Sequence, residues 1–404
     1  MTALPPALLS SLARPLEQAA AAVARLDGAL IGCPLLPAWH FRVRIAAAVA
    51  QAELDGIRVD PARLGAAALG LRPEAPAALG ATGPAGGRDG GATAHALRLL
   101  HWSAPARSDP AASAEAAGTD AEGPVDDRIA AALADLDRDA GDVPTLIAAG
   151  LGLRRWIERG GERPALWAAL PRFLVQRGLL RAECPLLLGA ASLRGRSAWE
   201  QPTGRWMATF LDGLRAEAGQ ALGLLLDLER CWRAARGTAE AHSRSHSRLP
   251  QVVDLLALAP SVNPEGVARA LSGGRDPRRL SPAEPAGTAP LPSCSPRGAG
   301  KMLEKLEALG LVVELSGRGT HKLYALTDLA PLRLQSARPL TGRRSQGRTH
   351  AARAGTKDKA GDPADLSWGR ARLDLSGLDT RGLDDAAAEV DAVLRRLAAR
   401  LDKP

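Results

Sequence analysis

The chain has 404 residues, 46% of them hydrophobic and 24% charged, with a formal net charge of +8. That is long enough for two or three domains and apolar enough for a buried core. Aromatic residues are only 3%, and Ala and Leu carry much of the apolar fraction. Both are strong helix formers and poor strand fillers, which points to a mainly α protein and argues against an all-β sandwich or barrel.

Cys33, Cys184, Cys231 and Cys294 stand far apart, with no short Cys-Cys or Cys-His spacing. That excludes a zinc ribbon or finger and predicts a reduced, cytoplasmic setting. No run reaches 18 apolar residues, so no transmembrane helix is expected. The opening MTALPPALLSSLARPLEQ lacks the basic start of a signal peptide.

Residues 1–72 read as an N-terminal helical region. Leu16, Ala20, Val23 and Leu26 recur at helical spacing. Pro34 and Pro37 break that helix, and a second, from near Trp39, carries Phe41, Ile45, Val49 and Ala52. Asp60-Pro61 is a cap-and-proline start for a third. Residues 73–125, rich in Gly, Pro, Ser and Ala, read as a low-complexity loop region around one short helix near 95–102. His95 and His101 have no carboxylate or thiol at ligand spacing and read as exposed loop histidines. His40, beside Trp39, reads as packed or capping.

Residues 126–240 form the main helical body. There Trp206, Phe210, Leu214, Ala221, Leu225, Leu228 and Trp232 hold one apolar face over seven turns, which predicts a long core helix packed through that stripe. A polar hinge, Ser243–Arg248, follows. His242 and His246 have i, i+4 spacing there without a third ligand, so no metal site is expected.

Residues 249–330 change pattern. A helix carrying Val252 to Leu258 stops before Pro260, and Asn263-Pro264 caps a second. Ser295-Pro296 opens a third, with Ala299, Met302, Leu303, Leu306 and Leu309 inward. Leu311–Leu315 and Lys322–Leu326 alternate as two strands around a Gly-containing turn. Three helices and a hairpin are the order of a winged helix-turn-helix, whose recognition helix enters the major groove. Ser295, Arg297, Gly298, Lys301 and Lys305 on the third helix, with Arg318, His321 and Lys322 at the wing, are the expected DNA-binding residues. An insertion, Ser272–Cys294, with Arg275, Arg278 and Arg279, replaces the usual short turn.

A basic, disordered linker is expected over 331–380; its Pro331–Ala360 portion carries +7, which attracts polyanions without sequence preference. Leu383, Val390, Leu394, Leu397 and Leu401 then mark a C-terminal helix at 381–403, either a lid on the body or a homodimer seam.

Two stretches resemble Fic-type proteins, which transfer nucleotidyl groups and often end in a winged helix. Ala48–Val59 is similar to the helix preceding the Fic core, and Pro171–Leu180 to the helix after the active-site loop. Over most of residues 15–330 the layout resembles an uncharacterised bacterial family in which a domain of unknown function precedes a helix-turn-helix. The resemblance implies a Fic-like body. With Arg172 at the family's final arginine, however, the general-base position is Gly161, the aromatic one Arg163 and the metal-binding one Ala165. Leu166–Ala169 replace the phosphate loop. No base, metal ligand or anion nest remains there, so no catalytic residue and no cofactor is expected.

The expectation is a non-enzymatic protein that binds double-stranded DNA and regulates transcription. Two alternatives stand beside it: an antitoxin-like adaptor whose winged helix docks protein, and a nucleotidyltransferase with a rearranged site.

Overall fold

A computed structural model of the chain describes residues 5–71, 86–103, 123–138, 141, 143–194, 201–243, 247–272 and 294–336. Eight helices come first: α1 (Pro6–Leu30), α2 (Leu36–Leu54), α3 (Pro61–Ala68), α4 (Gly86–Trp102), α5 (Gly123–Asp137), α6 (Thr145–Glu158), α7 (Arg163–Gln176) and α8 (Thr203–Ala241). Then come α9 (Leu249–Leu258), α10 (Pro264–Leu271), α11 (Pro296–Ala308), β1 (Val312–Glu314), β2 (Tyr324–Leu326) and α12 (Ala330–Ser336). The protein is mainly α, as its Ala and Leu content requires. No described helix is long and apolar enough to cross a membrane.

The core is strung along α8. Its stripe from Trp206 to Trp232 is buried at every expected position. α1 lies along it and turns Leu12, Ala19, Val23 and Leu26 inward. Ala20, expected on that face, is exposed and Ala19 takes its place, a displacement of one residue or about 100° around the helix. From α2, the Trp39 indole Nε1 donates to the Ala221 carbonyl of α8 at 2.9 Å. Glu217 of α8 accepts from the backbone N–H groups of Leu188, Gly189 and Ala190, each at 2.8 Å, and so clasps the loop before the 3-10 turn Ala190–Leu193.

Two boundaries differ from expectation. α4 runs over 17 residues, far longer than a short helix at 95–102. Ala96, Leu99 and Leu100 give it a buried face against α2, which outweighs the low propensity of its glycine-rich start. Residues 72–85 and 104–122 lie outside the described residues. Likewise, residues 331–336 are not the start of a linker but part of α12. Leu332 packs beside Gly65 of α3, joining Leu69, Leu71, Val313, Leu315 and Ala325 in a second, smaller core. The rest of the expected linker and the helix at 381–403 lie outside the described residues.

Candidate nucleic-acid interface

Residues 249–330 are assembled from local signals. The Asn263 side chain accepts from Gly266 N at 2.6 Å and starts α10; the Ser295 hydroxyl accepts from Gly298 N at 3.1 Å and starts α11. Proline follows each cap, where its missing N–H costs nothing. β1 and β2 pair antiparallel, Val313 opposite Ala325. The segment between α9 and α10 adds a third rung, because Val262 and Tyr324 exchange both backbone hydrogen bonds at 2.8 Å. α10 and α11 pack directly despite the insertion between them. Its two ends meet where Cys294 N donates to Ser272 Oγ at 3.1 Å. Residues 273–293, with Arg275, Arg278 and Arg279, lie outside the described residues.

The expected binding residues fall into two groups. Arg297 and Lys301 are exposed on α11 and have no ion-pair partner among the described residues. Arg318 and His321 are exposed on the wing in the same state. The wing is pinned from inside: the buried Glu314 carboxylate accepts from the Ser316 and Gly317 N–H groups, at 2.7 and 3.0 Å, and from the Ser316 hydroxyl. His321 holds φ +56°, the left-handed region that histidine tolerates in tight turns.

The second group is engaged within the fold. Lys305 Nζ donates to the His242 carbonyl at the end of α8, at 3.2 Å. Lys322 is half-buried with its Nζ 3.7 Å from Glu304. The Ser295 oxygen and the Gly298 N–H are joined in the cap. Arg269 was not among the expected residues. It is exposed and without an ion-pair partner among the described residues, on the side of α10 away from the buried Val267, Ala270 and Leu271; that apolar spacing alone marks it as outward.

Many arginines of the body, by contrast, have acidic partners. Arg128 meets Glu162, Arg154 meets Glu158, Arg159 meets Asp135 and Arg181 meets Asp27. The winged unit is fastened to this body. Arg42 of α2 donates to Asp328 at 2.6 Å. The fully buried Asp254 of α9 takes the Trp232 indole N–H of α8 at 3.0 Å and also the Arg236 guanidinium.

Of the positions brought forward by the Fic resemblance, Gly161 lies in the turn before α7, and Arg163, Ala165 and Arg172 are helical. Ala165–Ala169 are buried inside α7, where the family would carry a phosphate loop. Arg172 lies beside Glu183, Nε to Oε1 3.8 Å, lining one small pocket with Trp102 and Trp167, and burial pushes the Glu183 carboxyl upward. His95 is not a loop residue: from α4 its Nε2 meets Asp55 Oδ2 at 2.9 Å, with Arg163 on the other carboxylate oxygen at 3.5 Å. Glu53 turns away to Arg194, so it forms no carboxylate pair with Asp55. His40 packs edge-on against Trp39, and burial, helped by Arg44, pushes its imidazole down to about 4. Among the described residues it is a neutral packed ring. His242 is bound through Nδ1 to the Thr238 carbonyl at 2.9 Å; His246 lies outside the described residues.

No family model and no curated protein matches the chain.

Proposed function

We propose that the chain is a cytoplasmic DNA-binding protein, a transcriptional regulator, in which residues 249–330 bind duplex DNA and the helical body is a non-catalytic, Fic-like scaffold. One observation carries this reading. Arg297, Lys301, Arg318 and His321 are exposed on a capped helix and its wing with no acid assigned to them among the described residues. Cations such as the first three, left uncompensated by their own fold, are what a phosphate backbone neutralises, with release of its counterions. Arg297 has the planar fork that matches the O6/N7 edge of guanine, whereas Lys301 supplies a point charge for phosphate.

A second reading is an adaptor whose winged helix docks protein; within the chain itself the hairpin already makes such a contact, Val313, Leu315 and Ala325 sharing one apolar cluster with Ala66, Leu69, Leu71 and Leu332.

Electrophoretic mobility shift with genomic fragments separates the two. The Arg297→Ala/Lys301→Ala protein loses its specific shifts, and its salt slope falls by roughly 0.9 for each phosphate contact removed. A chain ending at Ser336 binds more weakly but keeps its selectivity. Equal binding of every fragment by all three proteins removes the regulatory role. Recovery of one stoichiometric protein and no DNA selects the adaptor.

A further inference from the structure

We propose that base reading is confined to the first two turns of α11. In this division Arg297 selects the base, Lys301 anchors the strand, and the later turns are withheld by bonds within the chain. The inference takes the DNA reading above as its premise and names which part of the helix faces the bases.

Stepping around α11 from the buried Ala299, Leu303 and Leu306, the outward residues in order are Arg297, Lys301, Glu304, Lys305 and Ala308. Of the polar ones, only the first two have neither an ion-pair nor a hydrogen-bond partner among the described residues. Glu304 is matched by Lys322 at 3.7 Å, Lys305 by the His242 carbonyl at 3.2 Å, and Glu307, at the margin of the face, by Arg333 at 3.2 Å. Ala308 offers no polar group. A helix lying along the groove therefore presents free donors over four residues, about 6 Å of axis, which spans roughly two steps of a duplex at about 3.4 Å each.

The composition of those turns fits a close approach. Gly298 and Gly300 flank the two cations. At Gly300 an added Cβ would find only Pro264 carbons, 3.9 and 4.0 Å away, so the glycine is not forced by crowding within the fold. Its bareness lowers the surface beside Arg297 and Lys301, on the side of α10. The Glu304–Lys322 pair has a further effect: it offsets a carboxylate that would face the phosphates and places the base of the wing beside α11.

The test is selection of bound duplexes from a randomised library by the full chain and by folded Arg297→Ala, Lys301→Ala and Lys305→Met variants, with circular dichroism confirming each fold. The wild type enriches one core of about two or three base pairs that contains a guanine. Arg297→Ala loses about tenfold in preference at that guanine alone. Lys301→Ala weakens all sequences together, and Lys305→Met enriches the same core as the wild type. A core of five or more contiguous positions, a preference altered by Lys305→Met, or binding with no enriched core overturns this inference while DNA binding stands. Binding to no duplex at all removes the DNA reading beneath it.

Discussion

Replacing Asp254 by Ala cuts the joint between the body and the winged unit. The residue is 0% exposed and accepts from Trp232 Nε1 at 3.0 Å and from Arg236. Burial pushes its carboxyl upward, and the two donors pull it back. For Arg236, burial works against the charge, yet the bond to Asp254 outweighs it and holds the guanidinium above its ordinary value. Removing the carboxylate leaves a buried indole N–H without an acceptor, which costs about 1–3 kcal/mol. Breaking a buried ion pair costs about 3–5 kcal/mol in all. Arg236 keeps Glu240 at 3.0 Å and is 19% exposed, so its share is reduced and the expected loss is about 3 kcal/mol. Asp254→Asn preserves an acceptor for Trp232 and loses only the charge, for about half that amount. Urea unfolding followed by tryptophan fluorescence and far-ultraviolet circular dichroism measures both. A loss below about 1 kcal/mol for Asp254→Ala would show that the joint is held elsewhere and refute the reasoning.

Three further outcomes are expected. Gly189 has φ +62°, and a Cβ there would overlap the Phe210 ring, so Gly189→Ala lowers stability by at least about 2 kcal/mol in the same assay; a change under 1 would contradict it. Burial pushes the Glu217 carboxyl up to about 7 against its three amide donors, so the folded chain holds a proton that the unfolded chain releases near 4.5. The contribution of Glu217 to stability therefore falls as pH rises from about 4.5 to 7 and is level on either side, by at most about 3 kcal/mol; Glu217→Gln lacks that component in urea titrations across the range, and an unchanged profile counts against the assignment. Finally, because Ser272 and Cys294 already meet, replacing residues 273–293 by a short Gly-Ser turn shifts the melting temperature by no more than about 4 °C. Failure of that variant to fold would mean the insertion supplies packing.

What the chain discloses in advance is what short-range chemistry decides. Asp60, Asn263 and Ser295 each cap the helix that follows, because cap, proline and first turn lie within four residues. The stripe of α8 is equally plain, since it repeats along one helix and reaches both Trp206 and Trp232. Longer-range choices are hidden. Nothing near Pro331 announces that Leu332 will meet Gly65, and the Arg42–Asp328 bond joins residues 286 apart. α4 is obscured because its glycines advertise a loop while its burial against α2 is a tertiary effect. At the interface, the spacing marks Arg297, Lys301 and Lys305 as outward alike. Which of them is spent within the fold depends on where α8 ends, a fact set more than 60 residues earlier in the chain.

The length of α8 has a mechanical result. Its 39 residues make a rod of about 58 Å, anchored in the body at Trp206 and bolted to α9 and α11 at Asp254 and Lys305. A tilt of about 5° at the anchored end sweeps the far tip through about 5 Å, more than the roughly 3.4 Å rise between neighbouring nucleotides of one strand. Slack packing around Trp206 and Phe210 would thus be magnified toward Asp254 and Lys305, and the grip of α1 and of Trp39 along the rod is what holds it straight.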